Sequence, residues 1–266
     1  MAQRVTCVDV GSTWTKAAVV EVPSGALVAT GSHPTTVHTD VMEGLAGAVA
    51  VAAAGGGDPL YVCSSAGGGL RLAVVGYEKL VSAEAAHRVA LSAGAQVVHV
   101  AAGPLTTAGV AGLRASRPDV VLLVGGTDGG DADVLRHNAG RLARARHRTP
   151  VVVAGNAEAR DEVLATLAAR NIPATGAANV LPRIGELNPA PARAAIREVF
   201  LRHVIGGKRL SRGPRFARLV RGATPDVVLS AVELLAEEAV PPTPQSWHNR
   251  RAIFRANYES LNKEKC

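Results

Sequence analysis

Aromatic residues are scarce in this chain of 266 residues, where three phenylalanines, three tyrosines and two tryptophans make up 3% of the sequence. This scarcity disfavours an all-β core built on large aromatic side chains. Hydrophobic residues still reach 47%, and glycine occurs 28 times. A chain of this length buries a sizeable core. The composition therefore predicts a folded α/β protein packed mainly through alanine, valine and glycine.

Cysteine is equally scarce. Cys7, Cys63 and Cys266 are odd in number, far apart and without metal-ligand spacing, which argues against a disulfide scaffold or a zinc site. No apolar run approaches the roughly 20 residues that span a bilayer, and the N-terminus lacks a signal pattern. We therefore expect a soluble cytoplasmic protein with reduced thiols and no membrane partner.

The formal net charge of +7 comes almost entirely from scattered arginines. A protein that binds nucleic acid usually concentrates its basic residues on one face beside aromatic stacking positions, and neither feature is present apart from a basic run over 202–221. We do not expect nucleic acid as a partner. The basic run is interpreted as a solvated loop or a surface for an acidic partner.

The predicted secondary structure follows one pattern in the N-terminal part of the chain and another from about residue 83. Apolar runs and turn residues predict strands over 5–10, 16–22 and 26–32, a helix over 41–54 and a strand over 60–64. From about residue 83, helices (83–93, 106–115, 133–144, 158–169) alternate with strands (96–100, 119–124, 150–154), which is typical of a parallel sheet covered by helices. Two further helices are predicted over 189–203 and 225–239.

Four segments follow from these patterns. They are residues 1–80, residues 81–205 with the parallel α/β pattern, residues 206–240 with the basic loop and a helix, and residues 241–266. The last segment holds three of the eight aromatic residues and two of the five lysines, and it differs in composition from the rest. It is interpreted either as a polar C-terminal helix or as a fused or frame-shifted sequence.

The strongest motif is Asp9-Val10-Gly11-Ser12-Thr13-Trp14-Thr15-Lys16, at the predicted turn between the first two strands. It resembles the first phosphate loop of the superfamily of actin, heat-shock chaperone ATPases and sugar kinases. Such a loop needs a carboxylate for hydrated Mg²⁺, a glycine that lets the backbone approach phosphate, and hydroxyl and N–H groups for the anionic oxygens. Asp9, Gly11, Ser12, Thr13 and Lys16 fit those roles, with Asp9 as the metal ligand and Asp9 and Lys16 as the catalytic candidates. The alternative is an ordinary hairpin with a surface aspartate and lysine.

Two glycine-rich loops are further candidates. Cys63-Ser64-Ser65-Ala66-Gly67-Gly68-Gly69 is either a site of close backbone approach or a flexible turn. Gly125-Gly126-Thr127-Asp128-Gly129-Gly130-Asp131 follows a buried strand, and ligands of open α/β sheets gather at the carboxyl ends of strands. We expect Gly125, Gly126, Thr127 and Asp128 to contact nucleotide, with Asp131 as a further candidate. A glycine-rich turn with capping aspartates is the alternative.

These blocks, in this order, resemble the MutL accessory protein family of glutamate mutase. The matching text covers residues 9–16, 63–75, 83–94, 118–131, 150–156, 179–182 and 192–201. The resemblance implies an α/β fold: the N-terminal lobe of an actin-like (ribonuclease H-like) ATPase with an additional parallel α/β region. It also implies ATP and Mg²⁺ as cofactors, and the subunits of an adenosylcobalamin-dependent mutase as partners.

The family is regarded as a set of ATPases that protect or reactivate such mutases. In the presumed mechanism, ATP shifts a two-lobed clamp that opens the mutase for exchange of damaged cobalamin. Family members continue into a second half with another phosphate loop of the Asp-x-Gly-Gly-Ala-Thr-Thr-Asp type, after the helix that here covers 226–238. This chain has the distinct 241–266 segment there, so we expect it to bind ATP weakly and to hydrolyse it poorly.

Two other functions remain open. A non-catalytic scaffold would grip the mutase through its α/β region and basic loop, and would keep that binding after Asp9→Ala. An activator of a radical dehydratase would share the first loop but would need cysteines for an iron–sulfur cluster, and the three cysteines are poorly placed for one. A nicotinamide-binding fold is disfavoured because no Gly-x-Gly-x-x-Gly follows the first strand. The sequence leaves self-association undecided.

Overall fold

A computed structural model of the chain describes residues 3–22, 24–53, 57–66, 69–76, 89–90, 93–205 and 210–239. The chain divides into two compact units, Met1–Asp226 and Val227–Cys266. The predicted helix over 83–93 falls mostly outside the described residues. Gly67, Gly68 and the distinct segment 241–266 lie wholly outside them.

The first sheet is built from both ends of the first unit. It consists of β1 (Gln3–Val10), β2 (Trp14–Val22), β3 (Leu27–Pro34), β4 (Leu60–Ser64) and β10 (Val220–Ala223) in the order β10-β4-β1-β2-β3. β1, β4 and β10 run parallel, and the hairpins β1–β2 and β2–β3 are antiparallel. This mixed sheet is consistent with the actin-like fold that the resemblance predicts.

Alternate side chains along the strands of the first sheet are buried, so one face of this sheet packs against the rest of the protein. Val8, Val10 and Val19 belong to a core that also contains Leu45 and Ala48 of helix α1 (Val41–Val51). Asp40 caps this helix, since its Oδ1 accepts from the backbone N–H of Met42 at 2.9 Å.

Helix α1 approaches the first sheet at a glycine. A Cβ on Gly31 in β3 would lie 2.3 Å from the carbonyl oxygen of Ala48. A side chain at position 31 would therefore push helix and sheet apart.

The second sheet is entirely parallel. Its strands are β5 (Leu70–Gly76), β6 (Ala95–Ala102), β7 (Val120–Leu123), β8 (Val151–Val153) and β9 (Ala174–Gly176), in the order β6-β5-β7-β8-β9. All four residues of β7 and all three of β8 are buried. Such continuous apolar strands are expected where helices cover both faces of a sheet.

The two faces of the second sheet enter different cores. On one face, Val121, Leu123 and Val153 form a core with α2 (Thr107–Ala115), α3 (Asp133–Arg144) and α4 (Arg160–Ala168). On the other face, Leu122 and Val152 join the core of the first sheet, together with helix α5 (Ala190–Val199). The first unit is thus held together by one core that both sheets share.

The segment after α5 returns the chain to the first sheet. A π-helical turn, Phe200–Ile205, prolongs α5, and the short helix α6 (Arg215–Leu219) leads into β10. Helix α7 (Thr224–Ala239) follows β10 without a loop, and its described continuation into the second unit exposes Leu234 and Leu235. Among the described residues, no helix combines the length and the apolar character needed to cross a bilayer.

Within the described residues, the predicted elements agree with this architecture except for three strands and one short helix. The sequence pattern predicts neither β5, β9 and β10 nor α6, and it predicts a basic loop where α6 and β10 lie. β10 has only four residues and becomes a strand through its parallel pairing with β4, about 160 residues earlier in the chain. Because β4 is so far away in the sequence, the residues around β10 show no local pattern that predicts this pairing.

Candidate functional site

The first phosphate-loop motif lies where the carboxyl ends of β1, β4 and β10 meet. Gly11, Ser12 and Thr13 form the turn between β1 and β2, closed by a 3.1 Å hydrogen bond from the Gly11 N–H to the carbonyl oxygen of Trp14. Ser12 and Thr13 are exposed, and Gly11 is half-buried. The turn therefore presents hydroxyl groups at the edge where a parallel sheet collects ligands.

Two neighbouring strands place side chains beside Asp9. In the strand register, Asp9 of β1 lies opposite Lys16 of β2 and opposite Cys63 of β4. Alternation along β1 puts these residues on the face opposite to buried Val8 and Val10. Asp9 is half-buried and Lys16 is exposed. The motif is thus assembled on the face of the first sheet opposite helix α1.

Asp9 is held by a residue that the motif does not contain. Thr224, the first residue of α7, donates its hydroxyl to Oδ1 of Asp9 at 2.6 Å, and the thiol of Cys63 donates to the same oxygen at 3.6 Å. Within the described chain, Oδ2 of Asp9 has no hydrogen-bond partner. One carboxylate oxygen is therefore fixed, and the other is available to a cation or its water.

The neighbouring Asp9 and Thr224 also affect the pKa of Cys63. Burial, followed by the nearby charge and acceptor oxygen of Asp9, raises the pKa of Cys63 to about 11, although the hydroxyl of Thr224 acts in the opposite direction. The thiol therefore stays protonated at neutral pH and serves as a donor to Asp9. It is not a nucleophile or a metal ligand in this state.

The start of α7 is fixed by a buried charge cluster. Asp226 is only 2% exposed, and its two carboxylate oxygens pair with Nε of Arg193 at 3.3 Å and with Nε of Arg197 at 2.5 Å. Both arginines belong to α5. Because Asp226 is two residues beyond Thr224, this cluster also positions the hydroxyl that meets Asp9.

The glycine loop after β7 is a separate structure on the second sheet. Gly126 has a positive φ of 71°, and a Cβ there would lie 2.1 Å from the carbonyl oxygen of Asp131. Only glycine fits this conformation and this approach without displacement of the loop. No hydrogen bond joins the loop to the Asp9 cluster in the described part of the chain.

Two buried asparagines hold the glycine loop. Nδ2 of Asn156 donates to the carbonyl oxygens of Thr127 at 2.7 Å and of Gly130 at 3.0 Å. Nδ2 of Asn179 donates to the carbonyl oxygen of Gly126 at 2.9 Å and to Oδ1 of Asp128 at 2.8 Å. These contacts use the side chains of the two following loops to satisfy backbone groups that no strand or helix reaches.

The aspartates of the glycine loop accept hydrogen bonds from backbone N–H groups in and near the loop. Oδ1 of Asp128 accepts from the Ala157 N–H at 2.9 Å, and Oδ1 of Asp131 accepts from the Asp133 N–H at the start of α3 at 2.7 Å. This geometry favours the capping interpretation of both aspartates. Nucleotide contacts through Gly125, Gly126, Thr127 and Asp128 remain a prediction.

The structure reveals supporting residues that the sequence reading did not single out for these roles. Thr224, Asp226 and Asn179 each act across a long stretch of sequence. The available signal for the first two was the Thr224-Pro225-Asp226 start of a helix, since proline and acidic residues favour the first turn. Within the described residues, no group of three or more His, Cys, Asp or Glu side chains converges as a metal site.

The fold and the Asp9 cluster define an α/β protein consistent with the actin-like fold, with a phosphate-loop motif at the carboxyl ends of three parallel strands. The chain belongs to the MutL protein family, whose family model matches residues 5–243. Protein MutL of Clostridium tetanomorphum is 37% identical to it over 235 residues, which cover 86% of this chain and 51% of that protein. The chain thus spans about half the length of this curated relative. The family resemblance predicted from the sequence is confirmed.

Proposed function

We propose that this chain binds Mg²⁺ and ATP at the Asp9 cluster and serves as an accessory protein of an adenosylcobalamin-dependent mutase such as glutamate mutase. The observation that carries the proposal is the contact between Asp9 and Thr224, which joins the phosphate-loop strand to the start of a helix. Membership of the MutL family supports the link to a mutase.

The residues present fit a hydrated magnesium ion. Mg²⁺ keeps most of its waters in proteins and binds through one or two carboxylates and the phosphates of its substrate. Asp9 offers the oxygen that has no partner among the described residues, Oδ2, at the end of a strand. When bound, the ion would neutralise charge on the phosphate oxygens. The turn Gly11–Thr13 and Lys16 would hold the phosphates through N–H, hydroxyl and ammonium groups.

The reactivating function is an extension of this binding. Thr224 begins helix α7 and Asp9 ends a strand, so the contact between them joins the candidate ligand site to the start of this helix. A ligand shifts a conformational equilibrium only through contacts that differ between the two states. We propose that bound ATP alters the Asp9–Thr224 contact and thereby changes how the chain engages the mutase.

Calorimetry on the purified chain tests the nucleotide part. We expect Mg²⁺-dependent ATP binding that Asp9→Ala abolishes and that Asp161→Asn, an exposed carboxylate on α4, leaves unchanged. Equal binding by the wild type and Asp9→Ala would overturn the site. Turnover under saturating ATP is measured in parallel, and we expect it to be slow or absent.

Co-purification with the mutase subunits tests the accessory part. ATP is expected to change the retained amount of mutase for the wild type and not for Asp9→Ala. Retention that is independent of both ATP and Asp9 would favour the non-catalytic scaffold instead. Absence of retention in every case would contradict the mutase link.

A further inference from the structure

The second sheet carries a positively charged recess at the edge opposite to the glycine loop. The recess has a volume of about 340 Å³ and is lined by Arg114, Arg117, Arg146, His147, Arg148 and Thr149. These residues come from the end of α2 and from the segments that precede β7 and β8. The recess therefore opens at the amino ends of parallel strands, away from the glycine loop that follows β7.

The charge of this basic recess is not neutralised by the described protein. Within that part of the chain, none of the four arginines forms an ion pair. The lining contains no carboxylate, and the nearby Asp119 accepts from the Arg71 N–H at 3.0 Å. All four arginines are exposed, so water weakens their mutual repulsion, and an anion in the recess would offset what remains of it.

His147 contributes to the lining of the recess, although the residue is only 3% exposed. Its Nε2 is buried and has no hydrogen-bond partner among the described residues. A buried polar nitrogen without a partner costs free energy and requires an explanation. When Nε2 carries the ring proton, an anion oxygen that reaches this nitrogen would supply the missing acceptor.

Two of the arginines occupy positions that favour glycine. Arg117 has φ of 46° and Arg146 has φ of 49°, each just beyond the C-terminal end of a helix. Helices commonly end on glycine in this left-handed conformation, because other residues adopt it at a cost of about 1–2 kcal/mol. Both helices have an arginine there instead, and both arginines line the same recess.

We propose that the basic recess binds a small phosphate-bearing anion. Guanidinium groups bind phosphate oxygens through paired N–H donors. A phosphate group offers three oxygens and a charge of about −1.5 to −2, so it suits several arginines better than a single carboxylate or a neutral ligand does. The volume fits a small molecule. The recess is independent of the Asp9 cluster, since it lies on the other sheet.

Glycine variants test the site without loss of the fold. Arg117→Gly and Arg146→Gly remove a guanidinium and also relieve the left-handed conformation, so we expect their urea midpoints to equal or exceed that of the wild type. Pyrophosphate binding, measured by calorimetry in EDTA, is expected to fall about tenfold in each variant and to disappear in the double variant.

Matched controls separate the contributions. Asn171→Gly relieves the same conformation (φ 56°) at the end of α4 outside the recess, and Arg4→Gln removes an exposed charge on the first sheet. Both are expected to bind pyrophosphate like the wild type. Equal losses in Arg4→Gln and Arg117→Gly would mean general charge attraction and would overturn the proposal.

The imidazole signal of His147 locates the anion. Burial, and then the charge of Arg114, lower the pKa of His147 in the free chain. Pyrophosphate is expected to raise the NMR titration midpoint of this ring, assigned by comparison with His147→Gln. An unchanged midpoint at saturating pyrophosphate would contradict the proposal. Much tighter binding of an oligonucleotide through the same arginines would show that the ligand is a nucleic acid, and it would also contradict the proposal of a small anion.

Discussion

Thr224 and Asp9 meet through a 2.6 Å hydrogen bond, although 215 residues separate them in the chain. The bond fixes one oxygen of the phosphate-loop carboxylate from the first residue of a helix. Both residues belong to the first unit, and both stand at the carboxyl ends of parallel strands. The two ends of this unit therefore complete one candidate site.

Replacement of Thr224 by valine tests this relationship. The side chains have nearly the same shape, but valine lacks the hydroxyl donor, so Asp9 loses its fixed orientation. We expect Mg²⁺-dependent ATP affinity to fall by about 10- to 100-fold, in line with the loss of one hydrogen bond to a charged group. Thr224→Ser retains the donor and is expected to bind like the wild type. Calorimetry measures both, and equal binding by Thr224→Val would show that the hydroxyl has no role in the site.

The reactivity of Cys63 reports on the same carboxylate. With a pKa of about 11, only about one Cys63 in a thousand is a thiolate at pH 8. In a chain carrying Cys7→Ser and Cys266→Ser, iodoacetamide alkylation is expected to rise about tenfold per pH unit until near pH 11. Asp9→Asn removes a nearby negative charge, so it should lower this pKa and speed the reaction at pH 8. A midpoint below pH 9 in the parent chain, read by mass spectrometry, would contradict the assigned environment.

The buried carboxylate of Asp226 is expected to matter for both folding and binding. Asp226→Asn removes the charge that pairs with Arg193 and Arg197, and such losses in buried pairs cost about 3–5 kcal/mol. We expect about 3 kcal/mol, because Arg197 is 38% exposed at its side chain and can reach water. Urea unfolding measures the change.

A surface pair serves as the control for Asp226. Glu198→Gln breaks an exposed ion pair with Arg202, which should cost at most about 1 kcal/mol. If Asp226→Asn and Glu198→Gln had similar effects on stability, Asp226 would not act as a buried anchor. ATP binding should also weaken in Asp226→Asn at temperatures where the variant is folded, because Thr224 loses its support.

The glycine loop should depend on Asn156. Asn156→Ala leaves the carbonyl oxygen of Gly130 without its side-chain donor and removes one of the two donors to that of Thr127. It also removes the acceptor of the Ala159 N–H, so we expect a loss of about 3 kcal/mol in the free energy of unfolding. Asn188→Ala is the control, since its side chain has no hydrogen bond to the described residues. Unchanged stability in Asn156→Ala would contradict the role assigned to the amide.

The same variant tests the predicted nucleotide contacts of the loop. If Gly125, Gly126, Thr127 and Asp128 contact ATP, Asn156→Ala should weaken ATP binding in addition to destabilising the fold. Binding equal to that of the wild type would confine the nucleotide site to the Asp9 cluster.

Local sequence patterns are enough to predict most of the helices and strands and their order. Turn residues and apolar periodicity placed the β1–β2 hairpin, helices α1 to α5 and the alternation that implies a parallel sheet, because each depends on neighbours within a few residues. The motif from Asp9 to Lys16 and the glycine loop after β7 were visible for the same reason. The family was predicted from these blocks and is confirmed by the match over residues 5–243.

The distant residues that complete the sites are brought together by the tertiary fold, and local patterns do not predict them. β10 becomes a strand by pairing with β4, Thr224 reaches Asp9, and Asn179 reaches the loop at Gly126. The basic recess likewise gathers the ends of two helices and the starts of two strands. Such contacts satisfy buried or charged groups across long sequence separations, and no local periodicity encodes the partner.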